Sequence, residues 1–227
     1  GMFSHILIDS FTAYGTAWFE PFSNYRVAFD TIFVADPFYT IPFLICVLIA
    51  LIAKNGSPKR VKWNKIGLWI SSLYLLFTFI NKWHVHDVMK TSFDEKKYNY
   101  DDFITTPTPL NNFLWMSYSH DSLGSWIGYY SIFDKSKKID FKRIDRNDSL
   151  LIPLKGDENV KILKQFSKGH YAITKVDSTI YFNDLRFGQV GGWDDSDASF
   201  PLAYRLNNNA DNSMALDRGK FKVSISE

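Results

Sequence analysis

With 227 residues, 46% of them hydrophobic and 22% charged, the chain can form one large domain or two smaller ones. Its 26 basic and 24 acidic side chains leave a net charge of +2, with no clustered basic surface, so no nucleic-acid partner is expected. The single cysteine, Cys46, excludes an internal disulfide and a Cys-based zinc cluster. A mean hydropathy of −0.16 conceals a division, because residues 37–83 are strongly apolar and residues 84–227 carry most of the charge.

The apolar run from Phe3 to Leu7 has no basic stretch or small-residue cleavage site before it, which excludes a signal peptide. It reads as the end of a longer hydrophobic helix. His5 and Asp9 are four residues apart, so on a helix they share a face one turn apart. That spacing lets an imidazole and a carboxylate reach one divalent metal; a plain His–Asp hydrogen bond is the alternative. Gly15 can end a helix, Pro21 marks an irregular turn, and the stretch between them reads as an interfacial loop. Asp36-Pro37 has the form of a helix N-cap followed by its first residue, and Asp36 is also a candidate metal ligand.

Residues 38–53 and 66–80 carry no charge and are apolar on every side, which predicts two transmembrane helices. Lysines and tryptophans at their ends, among them Lys54, Lys65, Lys82, Trp63, Trp69 and Trp83, suit the membrane interface. The connecting loop KNGSPKRVKWNK is basic without an acid, so it is expected inside, with residues 84–227 extracytoplasmic. His84 and His86 follow in a helical stretch as an interfacial pair rather than ligands. The expected division is a membrane helical region, 1–90, and a mostly β domain, 91–227.

From about residue 111 short aromatic and β-branched runs alternate with turn signals. Strands are expected at 113–119, 125–133, 139–144, 171–176, 179–183, 200–206 and 221–225, with one short helix near 157–166. The fold class is α+β, with the strands antiparallel. His120, in an expected turn, and His170, after Gly169, show no metal-ligand company in the sequence and read as structural. In FNDLRFGQVGGW, Arg186 can pair with Asp184, and Gly191-Gly192 allow close backbone approach. No phosphate-binding Gly loop, G-x-S-x-G elbow or Cys nucleophile with a paired His occurs.

The series His5-x-x-x-Asp9, Ala13-Tyr14-Gly15-Thr16, Pro21-Phe22-Ser23-Asn24 and Asp36-Pro37-Phe38 is ordered and specific. It continues through PTPLNNFLW (107–115), GYYSIFD (128–134), FSKGHYAI (166–173) and FNDLRFGQVGGW (182–193). Together these segments resemble the bacterial membrane-bound metal-dependent hydrolase family, also described as LexA-binding, inner-membrane-associated hydrolases. The resemblance implies a multi-pass protein of the bacterial inner membrane, surrounded by lipid. It further implies hydrolysis by a water activated on a divalent metal, zinc or similar, with His5 and Asp9 matching the family's ligand pair, Asp36 a further candidate ligand, and the small-molecule or lipid substrate left open. The family's Pro-Asp-x-Asp and His-Arg-Gly-x-x-His-Ser motifs have no counterpart here, so the catalytic set is expected to be incomplete and no catalytic residue is assigned. The alternative is a non-enzymatic membrane protein whose β domain binds a partner or an envelope component.

Overall fold

The computed structural model describes residues 2–23, 25–98, 100–121, 123–189, 191–192, 200–206 and 215–217; Asn24, Trp193 and the strand expected at 221–225 lie outside them. The chain folds as two compact units, one of residues 1–89, 105–115 and 130–135, the other of residues 90–104, 116–129 and 136–227.

The first unit begins with α1 (Met2–Asp9). Past its end the chain doubles back through local hydrogen bonds, with Phe29 N–H donating to Ser10 O at 2.7 Å and an isolated bridge between Thr16 and Val27. The helix α2 (Pro37–Ile52) starts where the sequence signals it, with Asp36 Oδ1 accepting from the Phe38 N–H at 2.8 Å and the Tyr39 N–H at 3.3 Å. The third helix, α3, runs Pro58–Glu95. Small residues let α2 and α3 approach: Cys46 and Ala50 are buried, and a Cβ on Gly67 would stand 3.0 Å from that of Cys46. Farther along, Tyr74 Oη donates to Asp36 Oδ2 at 2.8 Å.

The expected transmembrane pair is corrected by these helices. No helix among the described residues is long and apolar enough to cross a membrane. With 16 residues and Pro42 inside it, α2 spans about 24 Å at ~1.5 Å per residue, against a hydrocarbon core of about 30 Å. Although α3 has 38 residues, Lys59, Arg60, Lys62 and Lys65 crowd its start, and polar groups close its apolar stretch. Those groups bind protein: Asn81 Nδ2 donates to Asn112 Oδ1 at 2.9 Å, and Lys82 Nζ donates to Phe29 O at 2.6 Å. The multi-pass topology falls with the spans, and the extracytoplasmic placement of the β domain loses the argument it rested on.

The antiparallel α+β part of the expectation stands. The first sheet has the order β1 (Asp102–Pro107), β2 (Leu114–His120), β3 (Gly124–Ser131), β4 (Phe141–Asp145). A second sheet has the order β5 (Tyr171–Val176), β6 (Thr179–Asp184), β7 (Ala203–Leu206), β8 (Ala215–Asp217). The pairs β3–β4, β5–β6, β6–β7 and β7–β8 are all antiparallel. At the β5–β6 hairpin Val176 faces Thr179 across Asp177-Ser178, and Asp177 adopts φ 54°, as a two-residue turn demands. Between the sheets in sequence lies α4 (Glu158–Phe166), capped by Asp157 Oδ1, which accepts from the Asn159 N–H at 2.7 Å.

Burial explains why β5 begins with an unbroken apolar run, Tyr171-Ala172-Ile173, rather than an alternating one. Tyr171 and Ile173 join Leu151, Leu163 and Phe182 in one core cluster. Ala172, pointing the other way, joins Met116, Ile127 and Leu185 in a second. Both faces of the strand are thus covered over Tyr171, Ala172 and Ile173, while Lys175 and Val176 at its far end are exposed.

Candidate functional site

Two groups of metal-ligating side chains exist among the residues singled out, and they are built differently. On α1, the i,i+4 spacing brings His5 Nε2 to 3.4 Å from Asp9 Oδ2, with the side chains 77% and 47% exposed. The pair lies on one face as the sequence implies. Asp36 does not join it: the carboxylate is buried, and its two oxygens accept from the Phe38 and Tyr39 N–H groups and the Tyr74 hydroxyl. Among the described residues, the group of three or more potential ligands lies elsewhere, in Asp102, His120 and His170, whose ligand atoms fall within 4.8 Å of one another.

Strand ends assemble this second group. Asp102 opens β1 and His120 closes β2, and the Asp101 N–H donates to His120 O at 2.8 Å, setting the two side by side. After α4 the chain turns through Lys168 and Gly169, both with positive φ, to reach His170 just ahead of β5. The His170 N–H donates to Ser167 O at 2.9 Å, while its carbonyl accepts from the Leu185 N–H at 3.0 Å. Thus Asp102 and His120 are held on strands, and His170 is held by the turn that leads into β5 and by its two backbone hydrogen bonds.

His120 Nδ1 lies 3.0 Å from Asp102 Oδ1, and His170 Nε2 lies 3.3 Å from Asp102 Oδ2. The two imidazoles meet edge to face at 4.6 Å between centroids, and the Tyr118 ring stands at 5.0 Å from His170 on the same pattern. Exposure is graded across the group, at 3% for the His170 side chain, 21% for His120 and 39% for Asp102. Burial raises the Asp102 pKa, but hydrogen bonding and electrostatic attraction from His170, together with those from His120, outweigh it and hold this carboxyl below its usual range. The group is therefore an anionic carboxylate facing two imidazole nitrogens, a donor set able to hold a divalent ion.

In the sequence His120 and His170 stand apart from other potential ligands, and nothing local marks Asp102. Fifty residues separate the two histidines, so no local spacing links them. The signal that was present is narrower: had 102–107 been read as a strand pairing with the run ending at His120, Asp102 and His120 would have faced each other. Alternating Phe103 and Thr105 carry that pattern weakly, and Pro107 ends it.

The remaining candidates have structural partners. His84 is exposed, and His86 Nδ1 pairs with Thr105 Oγ1 at 3.0 Å. Asp184 and Arg186 form the expected ion pair, buried and doubly bonded, with Nη2 to Oδ2 at 2.7 Å and Nε to Oδ1 at 3.0 Å. Just beyond, Gly188 at φ 70° and Gly192 pass so close to Met116 and to the Tyr129 hydroxyl that a Cβ would clash. That hydroxyl accepts from the Gln189 N–H at 3.2 Å, and burial pushes its pKa up to about 12. The described part of FNDLRFGQVGGW is thus packing and ion-pair chemistry.

On the first unit, α2 and α3 leave large apolar side chains in the open, including Leu48, Leu51, Ile52, Leu68, Trp69 and Trp83. A groove of about 700 Å³ beside their connecting turn is lined by Pro58, Val61, Lys62, Lys65, Trp69 and Leu73, among others.

Residues 1–85 match the model of a family described as YdjM inner membrane protein. The matched segment covers α1, α2 and most of α3. No curated protein and no solved structure matches the chain.

Proposed function

We propose that this protein is a metal-dependent hydrolase of the bacterial inner membrane, with lipid covering the open apolar faces of α2 and α3. The observation that carries the membrane half is the exposure of Leu51, Ile52, Trp69 and Trp83 within the segment that matches an inner membrane family. Contiguous open apolar surface of this kind marks an interaction site, and aromatic rings with nearby lysines suit the lipid interface. In the groove, Lys62 and Lys65 stand beside Trp69 and Leu73, which favours an anionic headgroup above acyl chains.

The hydrolytic half rests on the ordered motif series that resembles membrane-bound metal-dependent hydrolases. A bound divalent cation would supply a water of lowered pKa and polarise a carbonyl or phosphoryl oxygen of a small-molecule or lipid substrate. His5 is proposed as a neutral imidazole ligand and Asp9 as an anionic one. Asp36 is proposed to act by capping α2, since its oxygens already accept three hydrogen bonds.

Two measurements test this reading on the full chain purified in detergent. Vesicles containing phosphatidylglycerol are expected to carry the wild type upward in a flotation gradient, and the double variant Trp69→Ser/Leu73→Ser is expected to stay at the bottom. Equal flotation of both overturns the lipid contact. With zinc or manganese supplied, hydrolysis of p-nitrophenyl phosphate or p-nitrophenyl acetate by the full-length protein that completes the catalytic set is expected to depend on the metal and to be lost in His5→Ala. Turnover absent in the wild type, or unchanged in the variant, overturns the hydrolase.

A further inference from the structure

We propose that Asp102, His120 and His170 form a water-accessible binding site for a divalent transition-metal ion of the zinc class, separate from the His5–Asp9 pair. Geometry carries it first. Around an ion with bonds of about 2.0–2.2 Å, adjacent ligand atoms stand roughly 3–3.5 Å apart. The carboxylate oxygens meet His120 Nδ1 at 3.0 Å and His170 Nε2 at 3.3 Å, and the ligand atoms all fall within 4.8 Å. An ion can enter this cluster with small shifts, replacing the protons that the imidazoles now direct at one carboxylate.

The donor set decides the class of ion. Two imidazoles and one carboxylate suit zinc and its transition-metal neighbours, whereas calcium and magnesium take mainly oxygen ligands. His170, whose Nε2 faces the carboxylate, is 2% exposed and so forms the fixed side of the site.

Exposure decides the kind of site. Structural zinc centres close their coordination with four protein ligands, whereas catalytic ones use three and leave a position for water. Here three ligands converge from the ends of β1 and β2 and the start of β5, with the Asp102 and His120 side chains still open to solvent at 39% and 21%. The site thus has one deep anchor, His170, and an accessible side on which water or a substrate oxygen can complete the shell. None of this depends on the N-terminal pair or on the hydrolase reading.

The test uses the full chain in detergent, stripped with a chelator and then titrated with Zn²⁺ alone. After desalting, elemental analysis is expected to find one equivalent of zinc per chain that Asp102→Asn and His120→Gln lose and that His5→Ala keeps. Both losing substitutions fall on partly open side chains, and circular dichroism checks that they fold. Wild type without zinc, or a folded Asp102→Asn chain that keeps its equivalent, overturns the site. Zinc lost in His5→Ala and kept in Asp102→Asn overturns it in favour of the N-terminal pair. Should the variants fail to fold, ¹⁵N shifts of the histidine rings in the wild type decide: movement of His120 and His170 on adding Zn²⁺ is expected, and unmoved rings overturn the proposal. Because the readout is bound metal, failure here and failure of the hydrolase assay are separate results.

Discussion

In the sheet-bearing unit, Ile173, Phe182 and Leu185 are fully buried in apolar cores, while in the helical unit Leu51, Ile52, Trp69 and Trp83 stand in the open. The helical unit instead buries Asp36, Thr78, Asn81 and Asn112 and satisfies them through one another and the backbone. A chain surrounded by water on all sides gains by the first arrangement and loses by the second. The contrast teaches that the two units are stabilised in different ways, one by apolar burial and the other by polar bonds that hold together helices whose apolar sides face outward.

The buried Asp184–Arg186 pair is where this contrast breaks most sharply, because a charged pair lies within the apolar unit. Asp184→Ala strands a guanidinium that is stacked between Phe166 and Phe187, with ring distances of 4.8 and 5.3 Å. Loss of about 3–5 kcal/mol of unfolding free energy is expected in urea titrations; a loss below 1 kcal/mol would show that water reaches the pair.

In the helical unit, Asn112 is the polar counterpart of a core residue. Its Nδ2 donates to Thr31 O at 2.7 Å and its carbonyls accept from Asn81 Nδ2 at 2.6 and 2.9 Å. Asn112→Ala removes the donor to the buried Thr31 O and leaves Asn81 Nδ2 with the backbone carbonyl alone, and a loss of about 1–3 kcal/mol is expected by thermal or chemical unfolding in detergent. Asn112→Leu restores volume without the bonds and is expected to lose as much. Recovery in the leucine variant would mean that packing, not polarity, holds this unit.

The smallest expected effect is at Lys82. Burial lowers its pKa, and Asp30 opposes that without cancelling it. The folded protein therefore holds this proton less tightly than the unfolded chain. The cost is complete below the folded pKa and is relieved as pH rises toward the ordinary lysine value of about 10.4. Wild type is accordingly expected to gain stability relative to Lys82→Met between neutral pH and about pH 10. Parallel stability profiles would place the ammonium in water.

Much of the local structure was legible. Asp36-Pro37 marks the start of α2, and Asp177-Ser178 turns β5 into β6, because capping and turn chemistry are settled within a few residues. The strand at 171–176 has the bounds expected for it, since its apolar run has one reading at that length. By contrast β1 was not legible, its Asp102, Thr105 and Thr106 giving no apolar run. The transmembrane reading failed on magnitude: the stretches are apolar, but α2 is short and the apolar part of α3 is bounded by side chains that bind protein.

The candidate sites divide along the same line. His5 and Asp9 meet because helical periodicity is a local rule, and any helix over 2–9 would bring them together. Asp102, His120 and His170 meet because β1 pairs with β2 and a turn after α4 delivers His170 to the start of β5. Taken alone, the sequence determined the cap of α2, the hairpin turn, the i,i+4 pair and the apolar character of 37–83. Only the tertiary structure decided which strands lie together, and so which titratable groups share a site, because strand pairing joins residues whose separation along the chain carries no information about their contact.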